Sequence, residues 1–78
     1  MKTLTAIKNI TVGEYVTEII ITTNPQSEYA LLDALGIIII HSRVTNVYLF
    51  SDTVMVIFSN GDKMMLFFKN CYFVDYTS

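Results

Sequence analysis

The chain has few of the residues from which small active or metal sites are assembled: 78 residues hold one cysteine, one histidine, one proline, three glycines and no tryptophan. A lone thiol, Cys71, closes no internal disulfide and fits a reducing compartment. One cysteine and one histidine fall short of the roughly four ligands of a structural zinc site. No metal and no cofactor is therefore expected. A cysteine nucleophile would have to be activated by the single imidazole, His41, and no motif brings the two together. A buried structural thiol and a histidine at a turn or strand end is the better reading, with no catalytic residue assigned. Gly13, Gly36 and Gly61 lie far apart, each beside a turn or a helix end, so no phosphate cradle is formed.

Charge is scarce as well. Asp, Glu, Lys and Arg make up 15% of the chain, against roughly 25% in an average soluble protein. The net charge is −2, and the only cations are Lys2, Lys8, Arg43, Lys63 and Lys69. That gives no basic field for phosphates, so no nucleic acid is expected as a partner. The acidic residues are scattered, and Glu14 and Glu18 read as the solvated side of an edge strand rather than as an acid–base pair. The longest aliphatic run, Ile37 to Ile40, is far below the ~20 residues that span a bilayer. The first residues also lack the apolar segment of a secretory leader. A cytoplasmic protein with no membrane partner is expected.

What is present is a dense supply of residues that suit pleated backbone. With no repeat or linker, residues 1–78 read as a single domain. Segments 4–10 and 14–22 are rich in Ile, Val, Thr and Tyr and predict two strands turned at Gly13. Asn24 and Pro25 predict a helix start, Leu31, Leu32 and Leu35 an apolar stripe, and Gly36 its stop. Ile37 to Ile40 predicts a strand covered on both sides. Strands at 44–50, 53–58, 63–68 and 71–76 then follow as a four-strand meander, with Asn60-Gly61 the strongest hairpin signal. The expected fold class is α+β: a small antiparallel sheet, open or curled into a partial barrel, with one short helix in the order β-β-α-β-β-β-β-β.

Taking each connection as a tight hairpin pairs Phe58 with Lys63, Phe50 with Thr53, and Phe68 with Cys71. One face then carries Thr45, Val47, Leu49, Val54, Val56, Phe58, Lys63, Met65, Phe67, Tyr72 and Val74 and is expected to be core. The other carries Asn46, Tyr48, Phe50, Met55, Ile57, Met64, Leu66, Phe68, Cys71, Phe73 and Asp75, nearly as apolar and richer in Met and aromatic side chains; Tyr48, Phe50, Met55, Ile57, Met64, Leu66, Phe68 and Phe73 form its candidate interaction surface. A one-sided antiparallel sheet would alternate apolar with polar residues, so something must cover this second face. The rest of the chain could wrap round it, or another protein could, because Met and aromatic residues are enriched where proteins meet. The functional expectation is a non-enzymatic protein–protein interaction module that self-associates. An inhibitor or adaptor of phage or mobile-element type, blocking a host complex in defence evasion, would suit its size. The alternative is an oligomer that binds or sequesters a nucleotide-like ligand in a pocket lined by Tyr48, Phe50 and Tyr72.

Overall fold

A computed structural model of the chain describes residues 4–23 and 34–75. Six antiparallel strands form one sheet: β1 (Thr5–Ala6), β2 (Tyr15–Ile21), β3 (Gly36–Leu49), β4 (Thr53–Phe58), β5 (Lys63–Phe67) and β6 (Cys71–Asp75). A single 3₁₀ turn, Ile7–Asn9, follows β1. The strand order is β1-β6-β2-β3-β4-β5, and β1 and β5 are its two ends. The sheet is open rather than closed into a barrel.

This corrects the expected α+β class, because the described residues hold no helix of seven residues or more. The helix expected after Asn24 falls largely on 24–33, outside the described residues, but its C-terminal end can be checked. Gly36 is no left-handed stop: it opens β3 and pairs with Ile21, and only Gly13 and Gly61 among the glycines have positive φ. Leu35 donates its N–H to the Ile21 carbonyl at 2.7 Å, and its side chain is exposed instead of covering a core face. The β-branched run that follows simply continues as strand. It was expected to be covered on both sides, yet Ile37 and Ile39 are exposed while Ile38 and Ile40 face inward.

β3 is one 14-residue strand where two were expected, and it belongs to two half-sheets. Residues 36–43 pair with β2, which pairs with β6 and through it with β1; residues 44–49 pair with β4, which pairs with β5. Three irregularities cluster around the change of partner. Thr17 of β2 faces both Ile40 and His41 of β3, because Val16 pairs with Ser42 and Glu18 with Ile39. His41 takes up the extra residue with φ 47. Thr17 is also the surplus residue against β6, and Thr45 the surplus residue of β3 against β4. Bulges of this kind raise local twist and bend the strand that carries them. Each also disturbs the ladder, and at two of the three a threonine hydroxyl repairs it: Thr17 Oγ1 donates to the Val74 carbonyl and Thr45 Oγ1 to the Ile57 carbonyl, both at 3.0 Å.

The bent sheet closes the inner faces of its halves on one core. Ile7, Ile10, Val16, Ile19, Ile40, Cys71 and Phe73 from the first half meet Val44, Val54, Val56, Phe58 and Leu66 from the second. The four-strand meander is corrected as well. Of its four expected strands only the three in β3, β4 and β5 stay side by side, whereas β6 crosses over to lie between β1 and β2. β2 is consequently an interior strand, and Glu18 does not mark an edge.

Candidate interaction surface

The Asn60-Gly61 turn decides which side chains of β5 face outward. A two-residue type I′ hairpin needs positive φ at both central residues. Only Gly61, at φ 95, has it. The chain forms a three-residue loop, Ser59 to Gly61, in which Gly61 N–H reaches the Phe58 carbonyl and Phe58 N–H reaches the Asp62 carbonyl, each at 2.9 Å. Asn60 fixes the loop by accepting the Asp62 N–H at 2.9 Å, and its own N–H reaches Ser42 Oγ at 3.2 Å. Phe58 is therefore paired with Asp62, and Ile57 rather than Phe58 stands opposite Lys63. A shift of one residue turns over every side chain of a strand.

The consequence is an exchange of faces along β5. Leu66 lies in the core, with Met64 and Phe68 packed against it, whereas Met65 and Phe67 look outward. Phe73 is core as well, because β6 joins the first half-sheet and not β5. Of the eight residues expected to form an interaction surface, Tyr48, Phe50, Met55 and Ile57 lie on the outer face of the second half-sheet. Met64, Leu66, Phe68 and Phe73 are corrected to the inner side. Met65 and Phe67 take their place, and one sign of this was already in the sequence. The core face drawn from tight hairpins contained Lys63, a charge that a one-residue shift moves into solvent.

Across β3, β4 and β5 the outer face is ordered in rows. Tyr48 pairs with Met55 and Met55 with Met65; Asn46 pairs with Ile57 and Ile57 with Lys63; Phe50 donates to the Thr53 carbonyl at 2.9 Å, and Thr53 pairs with Phe67. Met55 and Ile57 on the central strand are half-buried between their neighbours. The flanking side chains stay open, with Tyr48 46%, Phe50 51%, Met65 56% and Phe67 57% exposed. Lys63 at one corner is the single charged residue of these rows.

No chemistry is assembled elsewhere among the described residues. Cys71 is a free, buried thiol at the β6 end that pairs with Ile21, while His41 is exposed at the bulge opposite Thr17. The two sit at opposite ends of β2 and on opposite faces. Burial pushes the Cys71 thiol above its ordinary value, only partly offset by a hydrogen bond from the Phe67 backbone. No group of three or more His, Cys, Asp or Glu could hold a metal among the described residues. No described helix is long and apolar enough to cross a membrane.

A groove of about 490 Å3 opens where the two ends of the sheet approach, lined by Ala6, Lys8, Ser51, Asp52, Phe67, Phe68, Lys69 and Tyr72. Of the three aromatic residues expected to share a ligand pocket, it holds Tyr72 alone. Tyr48 and Phe50 stand on the outer face instead. Comparison with known proteins brings no match: no family model, no curated protein and no solved structure.

Proposed function

We propose that the chain is a non-enzymatic protein–protein interaction module that docks the outer face of β3, β4 and β5 onto another protein. The reading rests on one observation: Tyr48, Phe50, Met55, Ile57, Met65 and Phe67 form a contiguous apolar face that the described part of the chain leaves uncovered. Scattered exposed apolar residues are ordinary, but a contiguous patch with a polar rim is the usual mark of a binding surface. Here the rim is Asn46, Thr53 and Lys63. Apolar surface contributes roughly 25 cal/mol per Å2 covered, most of which the costs of association then offset, so the fit of the partner decides the affinity. An inhibitor or adaptor role of phage or mobile-element type is part of this proposal and draws on the same uncovered apolar face.

Two substitutions test it. Phe50→Asp and Met55→Asp are expected to keep the wild-type circular dichroism and unfolding midpoint while losing the protein that the tagged wild type captures from a cell extract. Unfolding of both variants would make this face part of the core, and unchanged capture would remove it from the binding surface. Either result defeats the reading.

A further inference from the structure

We propose that a second copy of this chain occupies the free edge of β5, the two strands running antiparallel with Met65 of each copy on the two-fold axis; this rests on the reading of β3–β4–β5 as a docking surface. Among the described residues β5 is an end strand whose one hydrogen-bonded neighbour is β4. The bonds from Phe58 N–H to the Asp62 carbonyl (2.9 Å) and from Phe68 N–H to the Asp52 carbonyl (3.0 Å) fix its phase. In an antiparallel ladder, bonded and non-bonded positions alternate. Asp62, Met64, Leu66 and Phe68 therefore direct their peptide groups to β4, and Lys63, Met65 and Phe67 direct theirs away from it. Proteins usually blunt such an edge with proline, a bulge, a short strand or a charge, lysine above all. β5 has five residues and neither proline nor bulge, and Lys63 at its start is its only charge, so its Met65–Phe67 stretch carries no charge of its own.

The residues whose peptide groups point off the edge are also those whose side chains stand on the outer face. An added strand would extend the ladder and the apolar face together. A two-fold pairing must set outward-pointing residues against outward-pointing ones, so the axis can pass at any residue from Lys63 to Phe67; at Met64 or Leu66 it pairs only three residues of the strand. Centring on Lys63 puts two ammonium groups opposite each other. Centring on Phe67 leaves most of β5 unpaired within the strand. Centring on Met65 overlaps the whole strand and sets each Lys63 beside Phe67 of the other copy, where an ammonium is attracted to the ring. The row Tyr48, Met55, Met65 then runs on through Met65, Met55 and Tyr48 of the second copy, across three strands from each.

Amide hydrogen exchange, read by NMR together with solution mass, tests the register. In the dimer, the Met65 and Phe67 amides should exchange at least about tenfold more slowly than after dilution to monomer, whereas Met64 and Leu66 stay protected in both. A monomer at every concentration, or a dimer whose Met65 and Phe67 amides exchange as freely as in the monomer, overturns the proposal. Met65→Lys sets two cations on the axis at an exposed site, and a folded monomer is expected. Phe50→Asp, two strands away, should leave the dimer intact. If Phe50→Asp keeps the capture of other proteins, the face reading fails while the edge stands; if the wild type captures a protein but stays monomeric, the edge fails alone.

Discussion

The two halves of the sheet start from the same kind of sequence and end with different surfaces. In the second half, β4 alternates cleanly: Val54, Val56 and Phe58 are buried, while Met55 and Ile57 are half-buried on a face that opens to solvent along β3 and β5. In the first half, the face opposite the core is closed over β2 and β6, because Ile20, Thr22 and Val74 there are buried. Ile20 and Met55 occupy equivalent positions, each on an interior strand with its side chain turned from the core. The difference teaches that apolar residues on both faces of a strand specify burial in general and say nothing of what supplies it. In one half the face is closed; in the other the described residues leave it open to solvent.

Substitution of matched residues would break this comparison if it is wrong. Ile20→Ala should cost about 2–5 kcal/mol in urea unfolding, the range of a large-to-small change in a filled site. Phe67→Ala, on the open face, should stay within about 0.5 kcal/mol. Equal costs would mean that the two outer faces are alike after all. The bulge threonines sharpen the contrast on a smaller scale. Thr17 is buried, and Thr17→Val leaves the Val74 carbonyl without its hydroxyl donor at an expected cost of about 1–3 kcal/mol. Thr45 makes the same contact in the open half, where water can replace the hydroxyl, so Thr45→Val should cost under about 0.5 kcal/mol. A small effect of the opposite sign belongs to the hinge between the halves. His41 holds φ 47, where glycine avoids the steric penalty but adds chain entropy, and His41→Gly should raise the thermal midpoint by the equivalent of about 0.5 kcal/mol.

Local chemistry carried some of this into the sequence. The β4 core of Val54, Val56 and Phe58 and the Phe50–Thr53 turn follow from alternation and a short polar connection, and both appear in the structure. Four expected surface residues, Tyr48, Phe50, Met55 and Ile57, also emerge on the outer face, since they depend only on β3 and β4. Met65 and Phe67 were missed because their orientation hangs on whether Asn60 adopts positive φ, a choice of turn that the Asn-Gly pair leaves open. Phe73 was misplaced for a different reason. No local signal tells a strand to leave its neighbour in sequence and pair with β1 and β2 at long range. The bulges at Thr17 and Thr45 were equally silent, because the hydroxyls that repair them look like ordinary strand threonines.

The position of β6 also has a consequence in time. β1 and β2 are successive along the chain, yet the slot between them is filled by a strand made only after β3, β4 and β5. Until Cys71 to Asp75 have been synthesised, β2 has an unpaired side and β1 has no strand to join. The meander can form early from near neighbours, but bringing Thr5 against Phe73 requires closing nearly the whole described chain, the kind of contact that slows folding. A nascent chain therefore carries an open β2 edge from the emergence of β2 until that of Cys71–Asp75, and β6 acts as the latch that completes the first half.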